Sequence, residues 1–397
     1  MCDGGSKVAL TSILNRRHLL SVSVLGGAAL TLGASWEPTG RLEFAPPFDS
    51  VKIEKTTRAV SPDNSVTPVV SLDNRSRYES DDQSRSTVDP DLALDYEQSV
   101  APLRQFSESV VKLANRFAAS GGTNLGAAAE AAGHLRLWAQ ASALADFNST
   151  PAQLNRSTTL AAASLAYLQI RPAFESDDED MAQIAVWLSK TAGAVMRHYA
   201  YASIDRDSTR NNHRYWAGLA ATCCGLAARE RNIFESGMDT CWSGIGQVTK
   251  DGALPLELGR GKRALYYHAY ATGPLILLAE IGARNGRPMY SAGDDALHRL
   301  VAFTLAGLDD PERIAELAGE PQEALGQGGN AFERHQIAWL EIYNRRFPER
   351  NPWRRRMAQL RPMGSTPLGG NLTMLSRVGS RLSIADDLRS NLRGPQT

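Results

Sequence analysis

The chain has 397 residues, of which 22% are charged and 43% are hydrophobic. This length accommodates two or three domains of ordinary size, or one large helical or barrel domain. Lysine plus arginine and aspartate plus glutamate balance at 43 each, so no net positive field favours nucleic acid or an anionic membrane surface. We therefore predict no nucleic-acid partner, and an anionic ligand would have to be held by local basic residues.

The first 35 residues have the pattern of an export signal. Arg16 and Arg17 precede a weakly apolar run from Ser21 to Gly33, which is typical of the twin-arginine export route. The run is shorter than the ~20 apolar residues that cross a bilayer, so we expect cleavage near Ala34 or Ser35 and no membrane insertion afterwards. A basic N-terminus without a targeting role is the alternative. The prediction is a periplasmic or secreted protein, and the sequence identifies no protein partner.

Residues 36–74 are rich in proline, serine, threonine and aspartate and lack a sustained helical period. This composition predicts a linker or an extended segment lying on the body of the protein. The next stretch, around Arg77 and Tyr78, is strongly polar and has the composition of an exposed loop. At the other end of the chain, residues 381–397 form a polar tail.

Helical periodicity dominates from residue 75 to residue 380. Leu103, Phe106, Val110, Leu113 and Phe117 fall at spacings of three and four, and two glycines end this run. Apolar residues recur in the same way over seven further stretches: 125–145, 158–170, 181–201, 215–229, 233–248, 265–284 and 295–306. Alternating strand patterns are scarce, and no repeat of fixed period is visible. The sequence predicts a single, mostly α domain built from helical hairpins.

The four cysteines form no metal-binding signature. Cys2 lies in the predicted leader, and the adjacent Cys223 and Cys224 in an alanine-rich helix are typical of small buried hydrophobic residues. An exported protein permits a disulfide, for instance one with Cys241, but three cysteines leave at least one unpaired in a monomer. Because the usual ligand and cofactor motifs are missing as well, we predict no metal and no organic cofactor.

The first polar-aromatic cluster is Asn-Asn-His-Arg-Tyr-Trp at positions 211–216. In a structural interpretation Asn211 or Asn212 caps a helix that starts near His213, since asparagine is a favoured N-cap, and the two aromatic residues belong to the core. In a functional interpretation the helix N-terminus favours a bound carboxylate, because it offers backbone N–H groups and the positive end of the dipole. Asn212 and His213 would then reach that anion.

The second cluster is Arg-Gly-Lys-Arg-Ala-Leu-Tyr-Tyr-His at positions 260–268. A solvated basic face would explain Arg260, Lys262 and Arg263, but it does not explain the aromatic residues directly downstream. Arginines close to Tyr267 would stabilise its phenolate and lower its pKa, as a proton-transferring tyrosine requires. Together the two clusters supply donors and cations that hold a carboxylate while a tyrosine or histidine removes the neighbouring proton.

These clusters resemble the signatures Asn-Asn-His-x-Tyr-Trp and Arg-x-x-Arg-Ala-Leu-x-Tyr-His of the alginate lyases, the poly(β-D-mannuronate) lyase family (polysaccharide lyase family 5). Further stretches resemble family landmarks in the same order: residues 76–79, 137–139, 338–341 and 368–370. The resemblance covers roughly Arg75 to Arg377 and implies an incomplete (α/α) toroid with a deep substrate cleft. The chain departs from the family pattern at Ala269 and Thr272, which leaves fine substrate preference open.

The resemblance also implies roles for single residues. Proton transfer falls to Tyr267, and neutralisation of the substrate carboxylate falls to three residues: Asn212, His213 and Arg260. The segment around residue 77 resembles the family's lid loop over the cleft, and four residues become candidates for substrate binding: Arg77, Tyr78, Arg263 and Trp138. The last of these is a possible sugar platform, although a tryptophan in a helix is more often a core residue.

The implied function is cleavage of a β-(1→4)-linked polyuronate, foremost poly-β-D-mannuronate, by β-elimination that leaves a C4=C5 double bond at the new non-reducing end. The partner is thus an anionic polysaccharide. An inverting glycoside hydrolase would need two separated carboxylates, and the acidic run at 175–180 is too consecutive to supply them. A preference for another polyuronate, such as polyglucuronate, stays open. So does a non-catalytic periplasmic glycan-binding protein.

Overall fold

The computed structural model describes residues 42–201, 206–326 and 332–378, which all belong to one compact unit, Gly40–Thr397. The predicted leader and the polar tail after residue 380 lie outside the described residues. None of the described helices combines the length and apolarity needed to cross a bilayer.

Thirteen α-helices lie within the described residues: α1 (Pro90–Ala119), α2 (Leu125–Gln140), α3 (Thr150–Ile170), α4 (Glu179–Tyr201), α5 (Asn212–Ala228), α6 (Arg231–Gln247), α7 (Pro255–Leu258), α8 (Ala264–Arg284), α9 (Ala296–Asp309), α10 (Glu312–Ala318), α11 (Leu340–Arg346), α12 (Arg354–Leu360) and α13 (Leu372–Leu375). The described strands are two residues long each. β1 (Ser71–Leu72) pairs in parallel with β2 (Asp146–Phe147), and β3 (Gly364–Ser365) pairs antiparallel with β4 (Gly370–Asn371).

The long helices form two concentric layers. Helices α1, α3, α5 and α8 contact one another in turn and form the inner layer. Each packs against the α-helix that follows it in the chain: α2, α4, α6 and α9. The outer helices also contact one another in this order. The segment from residue 361 to α13 lies beside α1, α3 and α8, so it occupies the space that four hairpins leave open. The predicted incomplete (α/α) toroid of helical hairpins is confirmed.

Local chemistry explains where the helices begin and end. Helix α1 starts at Pro90, because the side chain of Asp89 accepts hydrogen bonds from the next free backbone N–H groups and proline suits the first turn. Helix α3 starts at Thr150, eight residues before the predicted start, because Ser149 caps it through the backbone N–H of Ala152. Helix α2 ends at residue 140 rather than 145, since two residues soon after it, Ser142 and Leu144, have positive φ.

Residues 42–74 lie on the body as extended chain, and we call them the N-terminal strap. Its Val60 N–H donates to Ala129 O in α2 at 3.1 Å. A side chain at Gly133 would place its Cβ 1.8 Å from Val60 O, so the strap requires glycine there. Near its start, Ala45 exchanges two hydrogen bonds of 2.9 Å with the Asn285 side chain. The strap is therefore an integral part of the compact unit.

Two predictions about single residue types are decided by burial. Cys223, Cys224 and Cys241 are free thiols with no exposed surface, so the interpretation as small core residues is confirmed and Cys241 forms no disulfide. Trp138 is only 1% exposed, stacks on Phe106 with ring centroids 3.6 Å apart and donates its indole hydrogen to a strap carbonyl. The sugar-platform role of Trp138 is wrong, because no sugar can reach its ring.

Candidate active site

A cleft of about 1840 Å³ lies at the N-terminal ends of the inner helices. It is lined by α1 as far as Glu108, the first turns of α3, the start of α5 at Asn211 and His213, and the first two turns of α8. A helix N-terminus carries unpaired N–H groups and the positive end of the dipole. The architecture alone therefore makes this end of the toroid favourable for an anionic ligand.

Residues 77–89 form a lid over the cleft. Backbone hydrogen bonds join its two ends, from Asp89 N to Arg77 O and from Glu79 N to Thr87 O. At its tip the carboxylate of Asp82 accepts hydrogen bonds from the backbone N–H groups of residues 84, 86 and 87. Although desolvation opposes ionisation, these bonds hold the pKa of Asp82 well below its ordinary value. The ionised aspartate thus gives the lid a fixed shape.

The lid places Tyr78 directly on the second cluster. The Tyr78 hydroxyl lies 2.6 Å from the Tyr267 hydroxyl and accepts hydrogen bonds from Arg263 at 2.8 Å and from Arg77 at 3.3 Å. Tyr78 is only 8% exposed, so the prediction of an exposed loop is wrong at this residue. Arg77, Tyr78 and Tyr267 line the cleft, whereas Arg263 does not. We therefore correct its predicted role from binding substrate to supporting the Tyr78 phenol.

The pKa values of the two phenols are shifted from the ordinary value in opposite directions. Burial raises the pKa of Tyr267 and outweighs the guanidinium of Arg260, which lies 3.5 Å from the ring centroid. The predicted lowering of the Tyr267 pKa is therefore wrong. Burial opposes ionisation of Tyr78 too, but Arg77 and Arg263 bring its pKa below the ordinary value. Tyr78 is the more acidic member of the pair, so it ionises first, and its phenolate can then accept a hydrogen bond from the Tyr267 hydroxyl 2.6 Å away.

Arg260 links the lid to the floor of the cleft. Its Nε donates to Ser84 O and its Nη2 donates to Arg85 O, both at 2.7 Å. The residue lines the cleft, and its second amino group makes no hydrogen bond within the described part of the chain. One side of the guanidinium thus holds the lid, and the other side is available to an anion.

At the start of α5 the structural and functional interpretations both apply. Asn211 is the N-cap, because its Oδ1 accepts the His213 N–H at 3.1 Å. Asn211 and His213 both line the cleft. Burial, with smaller contributions from Arg260 and His198, lowers the pKa of His213 to about 3. His213 is therefore neutral near pH 7 and can give a ligand a hydrogen bond but no charge.

Asn212 does not face the cleft. It is fully buried, and its Nδ2 donates to both carboxylate oxygens of Glu257 at 3.1 and 3.0 Å while its backbone N–H donates to the same group at 2.8 Å. A buried carboxylate needs such donors, so both amide hydrogens are used. The predicted direct contact of Asn212 with substrate is wrong in this geometry, and Asn211 presents the amide at the cleft instead.

Glu257 is the residue that sequence reasoning missed. It joins the two clusters, since it binds the residue before His213 and lies three positions before Arg260. Its signal in the sequence is a single carboxylate within the apolar turn of residues 254–258. Burial raises the pKa of Glu257 to about 7, against the effects of Arg260 and the hydrogen bonds from Asn212. The carboxyl group therefore titrates near neutral pH.

This shift predicts how stability depends on pH. Because the native pKa of about 7 lies above the ordinary value of 4.5, the folded state binds more protons than the unfolded state between these values, and stability falls as pH rises through this window. Glu257 should make the free energy of urea unfolding about 3 kcal/mol lower at pH 7.5 than at pH 4.5. We expect Glu257→Gln to remove this contribution. Glu108→Gln, at an exposed position of α1, serves as the control and should keep the wild-type difference. An unchanged difference in Glu257→Gln would contradict the shift.

Tyrosines supply the aromatic surface of the cleft. Tyr96, Tyr266 and Tyr270 line it beside the lid, and the Tyr96 hydroxyl donates to Asn155 Oδ1 at 3.1 Å. Their combination of an apolar ring with a polar hydroxyl suits contact with sugar rings, which is the role predicted for Trp138. The described residues include no group of His, Cys, Asp or Glu side chains that could hold a metal ion, and the prediction that catalysis needs none stays a prediction.

A helical toroid whose cleft holds paired phenols and guanidinium groups is the arrangement of a polysaccharide lyase, since it can bind a uronate and move a proton beside its carboxylate. The comparison with protein families agrees. The alginate lyase family model matches residues 49–314, which is more than half of the chain. The chain belongs to the alginate lyase family.

Curated relatives match over most of their length. The chain is 30% identical to a polysaccharide lyase of Stenotrophomonas maltophilia over 302 residues, covering 75% of this chain and 86% of the relative. It is 29% identical to an alginate lyase of Azotobacter vinelandii over 365 residues, covering 90% and 93% of the two chains.

Solved structures share the fold. A variant of alginate lyase A1-III in complex with a tetrasaccharide superposes with a TM-score of 0.66 at 23% identity, covering 79% of this chain and 85% of that one. Alginate lyase A1-III from Sphingomonas species A1 gives a TM-score of 0.61 at 24% identity and covers 81% and 86%. At these identities the likeness supports the toroid fold alone.

Proposed function

We propose that the protein cleaves β-(1→4)-linked polyuronate, with poly-β-D-mannuronate as the preferred substrate, by β-elimination. The observation that carries the proposal is the 2.6 Å contact between the Tyr78 and Tyr267 hydroxyls at the cleft, with Arg77, Arg260 and Arg263 around the two rings. Family membership supports a lyase, and the names of the relatives support alginate as the polymer.

The first chemical requirement is neutralisation of the C6 carboxylate, which makes the C5 proton more acidic. Arg260 supplies the charge through its free amino group, and neutral His213 supplies a hydrogen bond. Asn211 adds an amide at the same helix N-terminus, where the dipole favours negative charge. Glu257 and Asn212 hold this end of α5 in place beside Arg260.

The second requirement is a base at C5. Tyr78 ionises first, because Arg77 and Arg263 lower its pKa, and its phenolate takes the Tyr267 proton across the 2.6 Å contact. The Tyr267 phenolate, the stronger base of the two, takes the C5 proton, while the C5 electrons form the C4=C5 bond and the C4–O bond breaks. In mannuronate the C5 hydrogen and the C4 oxygen lie on the same side. Tyr267 can therefore return its proton to the leaving oxygen without a second acid. The proton held on Tyr78 then passes back to Tyr267, which restores the starting state of the pair.

A substrate panel tests this proposal. Polymannuronate, polyguluronate and polyglucuronate are incubated with the enzyme, and the ultraviolet absorbance of the unsaturated product is followed. We expect product from polymannuronate at the highest rate. Reducing ends without new absorbance would indicate a hydrolase, and polymer binding without any product would indicate a glycan-binding protein. A faster reaction with polyglucuronate would keep the mechanism and change the substrate.

We also propose that the protein is exported to the periplasm through the twin-arginine route, on the basis of Arg16, Arg17 and the apolar run after them. The double variant Arg16→Lys/Arg17→Lys keeps the charge but removes the paired guanidinium groups, so it should stay in the cytoplasm when cells are fractionated. The conservative change Lys7→Arg, upstream of the pair, should leave export intact. Normal export of the double variant would leave a general secretory leader as the better account.

A further inference from the structure

An arginine-rich stretch follows α11. Residues 344–361 contain seven arginines and one acidic residue, Glu349. Most of these arginines are matched by carboxylates on other elements, as in the pairs Arg345–Asp49, Arg346–Glu280, Arg350–Asp295, Arg356–Asp309 and Arg361–Glu341. These pairs dock the end of the chain on the toroid, and they account for five of the seven charges.

The other two arginines of the stretch have no such partner. Arg354 and Arg355 are exposed on the first turn of α12, and no carboxylate of the described residues lies within ion-pair distance of either. Arg334 is also exposed, and no carboxylate of the described residues lies within ion-pair distance of it. Because these exposed guanidinium groups are unpaired, they contribute a local positive potential that can attract an anionic ligand. We call these three residues the arginine rim.

The contacts of neighbouring residues place the rim beside the cleft. The Arg356 guanidinium lies 4.1 Å from the Trp353 ring and 5.3 Å from the Phe332 ring, so the segment that carries Arg334 packs on the start of α12. The residue after Arg334, His335, lines the cleft. At its other end α12 leads through Arg361 into Pro362 and Met363, which line the cleft too, and seven helical residues span only about 10 Å.

We propose that the arginine rim binds the polyuronate chain where it leaves the cleft beside His335 and Met363. The inference rests on the proposed function, since it takes the same anionic polymer as ligand. A guanidinium group matches a carboxylate with two parallel hydrogen bonds, and a polyuronate presents one carboxylate per sugar. Each exposed pair is weak alone, but a chain already held in the cleft meets the rim at high effective concentration.

Charge reversal at the rim tests the proposal. For Arg354→Glu/Arg355→Glu we expect the KM for long polymannuronate to rise about tenfold at low salt, with kcat unchanged. The KM for a tetramannuronate, too short to reach beyond the cleft, should stay at the wild-type value. The difference in polymer KM should vanish in 0.5 M NaCl, because salt screens exposed charges. The milder Arg354→Gln/Arg355→Gln should give a smaller rise in the same direction.

A matched control has the same change of charge elsewhere. Lys52 and Lys55 are exposed on the N-terminal strap, near Gly122 at the far end of α1, about 20 Å from the cleft residue Glu108 by helix rise. Lys52→Glu/Lys55→Glu should leave the polymer KM unchanged. An equal rise in this control, or no rise in the rim variants, would overturn the proposal.

Polymer binding by Tyr267→Phe, with and without the rim changes, decides the same question without turnover. Absence of product from wild-type enzyme would instead count against the proposed function.

Discussion

Tyr267→Phe should cut the formation of unsaturated product from polymannuronate by about a hundredfold or more, the usual scale for a positioned proton-transfer group. The change removes only the hydroxyl that lies 2.6 Å from Tyr78 and keeps the ring under the Arg260 guanidinium. Polymer binding should therefore stay close to the wild-type value. The measurement is kcat from product absorbance together with a dissociation constant from calorimetry.

Tyr270→Phe is the matched control for this result. Tyr270 lies one turn further along α8, lines the same cleft and packs near Trp216 and Tyr266, but its hydroxyl makes no hydrogen bond within the described residues. Loss of a hydroxyl without a hydrogen bond should leave turnover close to the wild-type value. Near-wild-type elimination by Tyr267→Phe would remove this tyrosine from the mechanism and make His213 the base.

Arg260→Ala should lower kcat by about a hundredfold and raise KM as well. The charge on the substrate carboxylate grows in the transition state, and loss of one donor at such a site costs about 10²–10³ in rate. The substrate is anionic before reaction too, so ground-state binding weakens. The same change deletes the two hydrogen bonds that fasten Ser84 O and Arg85 O of the lid. Steady-state kinetics on polymannuronate separates the loss of transition-state stabilisation, seen in kcat, from the loss of ground-state binding, seen in KM.

Two variants sharpen this second result. Arg260→Lys keeps the charge but not the paired donors, so it should recover binding more than turnover. Arg104→Ala removes an arginine that also lines the cleft but pairs with Glu97 on the surface, and it should change KM only slightly. A raised KM with unchanged kcat in Arg260→Ala would mean that Arg260 binds substrate and transition state equally.

The helical periods are long and well punctuated, so they were sufficient to predict a mostly α domain of helical hairpins, whereas the incomplete toroid was implied by the family resemblance. The two glycines after α1 mark a boundary that the structure reproduces. The missed boundaries depend on local chemistry that a period does not encode. Ser149 caps α3, so this helix starts earlier than its apolar period indicates. Leu144 has a positive φ, so the predicted helical stretch 125–145 cannot continue to its end as α2.

The site was predictable in composition but not in orientation. The two motifs supplied Tyr267, His213 and Arg260, which all line the cleft. Which of two adjacent asparagines faces substrate depends on the rotation of α5, and this rotation is set by the buried carboxylate of Glu257. The direction of the Tyr267 pKa depends on burial, which a list of nearby arginines does not contain. The spacing of residues in the sequence predicts neither the rotation of α5 nor the burial of Tyr267.

The N-terminal strap has a consequence for the order in which the protein is made. Ala45 bonds to Asn285, 240 residues later, and Asp49 pairs with Arg345, 296 residues later. A ribosome delivers the strap long before it delivers these partners. Contacts so distant in sequence form slowly, and these two cannot form until α8 and α11 have both emerged from the ribosome. Completion of the native structure is therefore a late event, and an incomplete chain leaves the strap without its anchors.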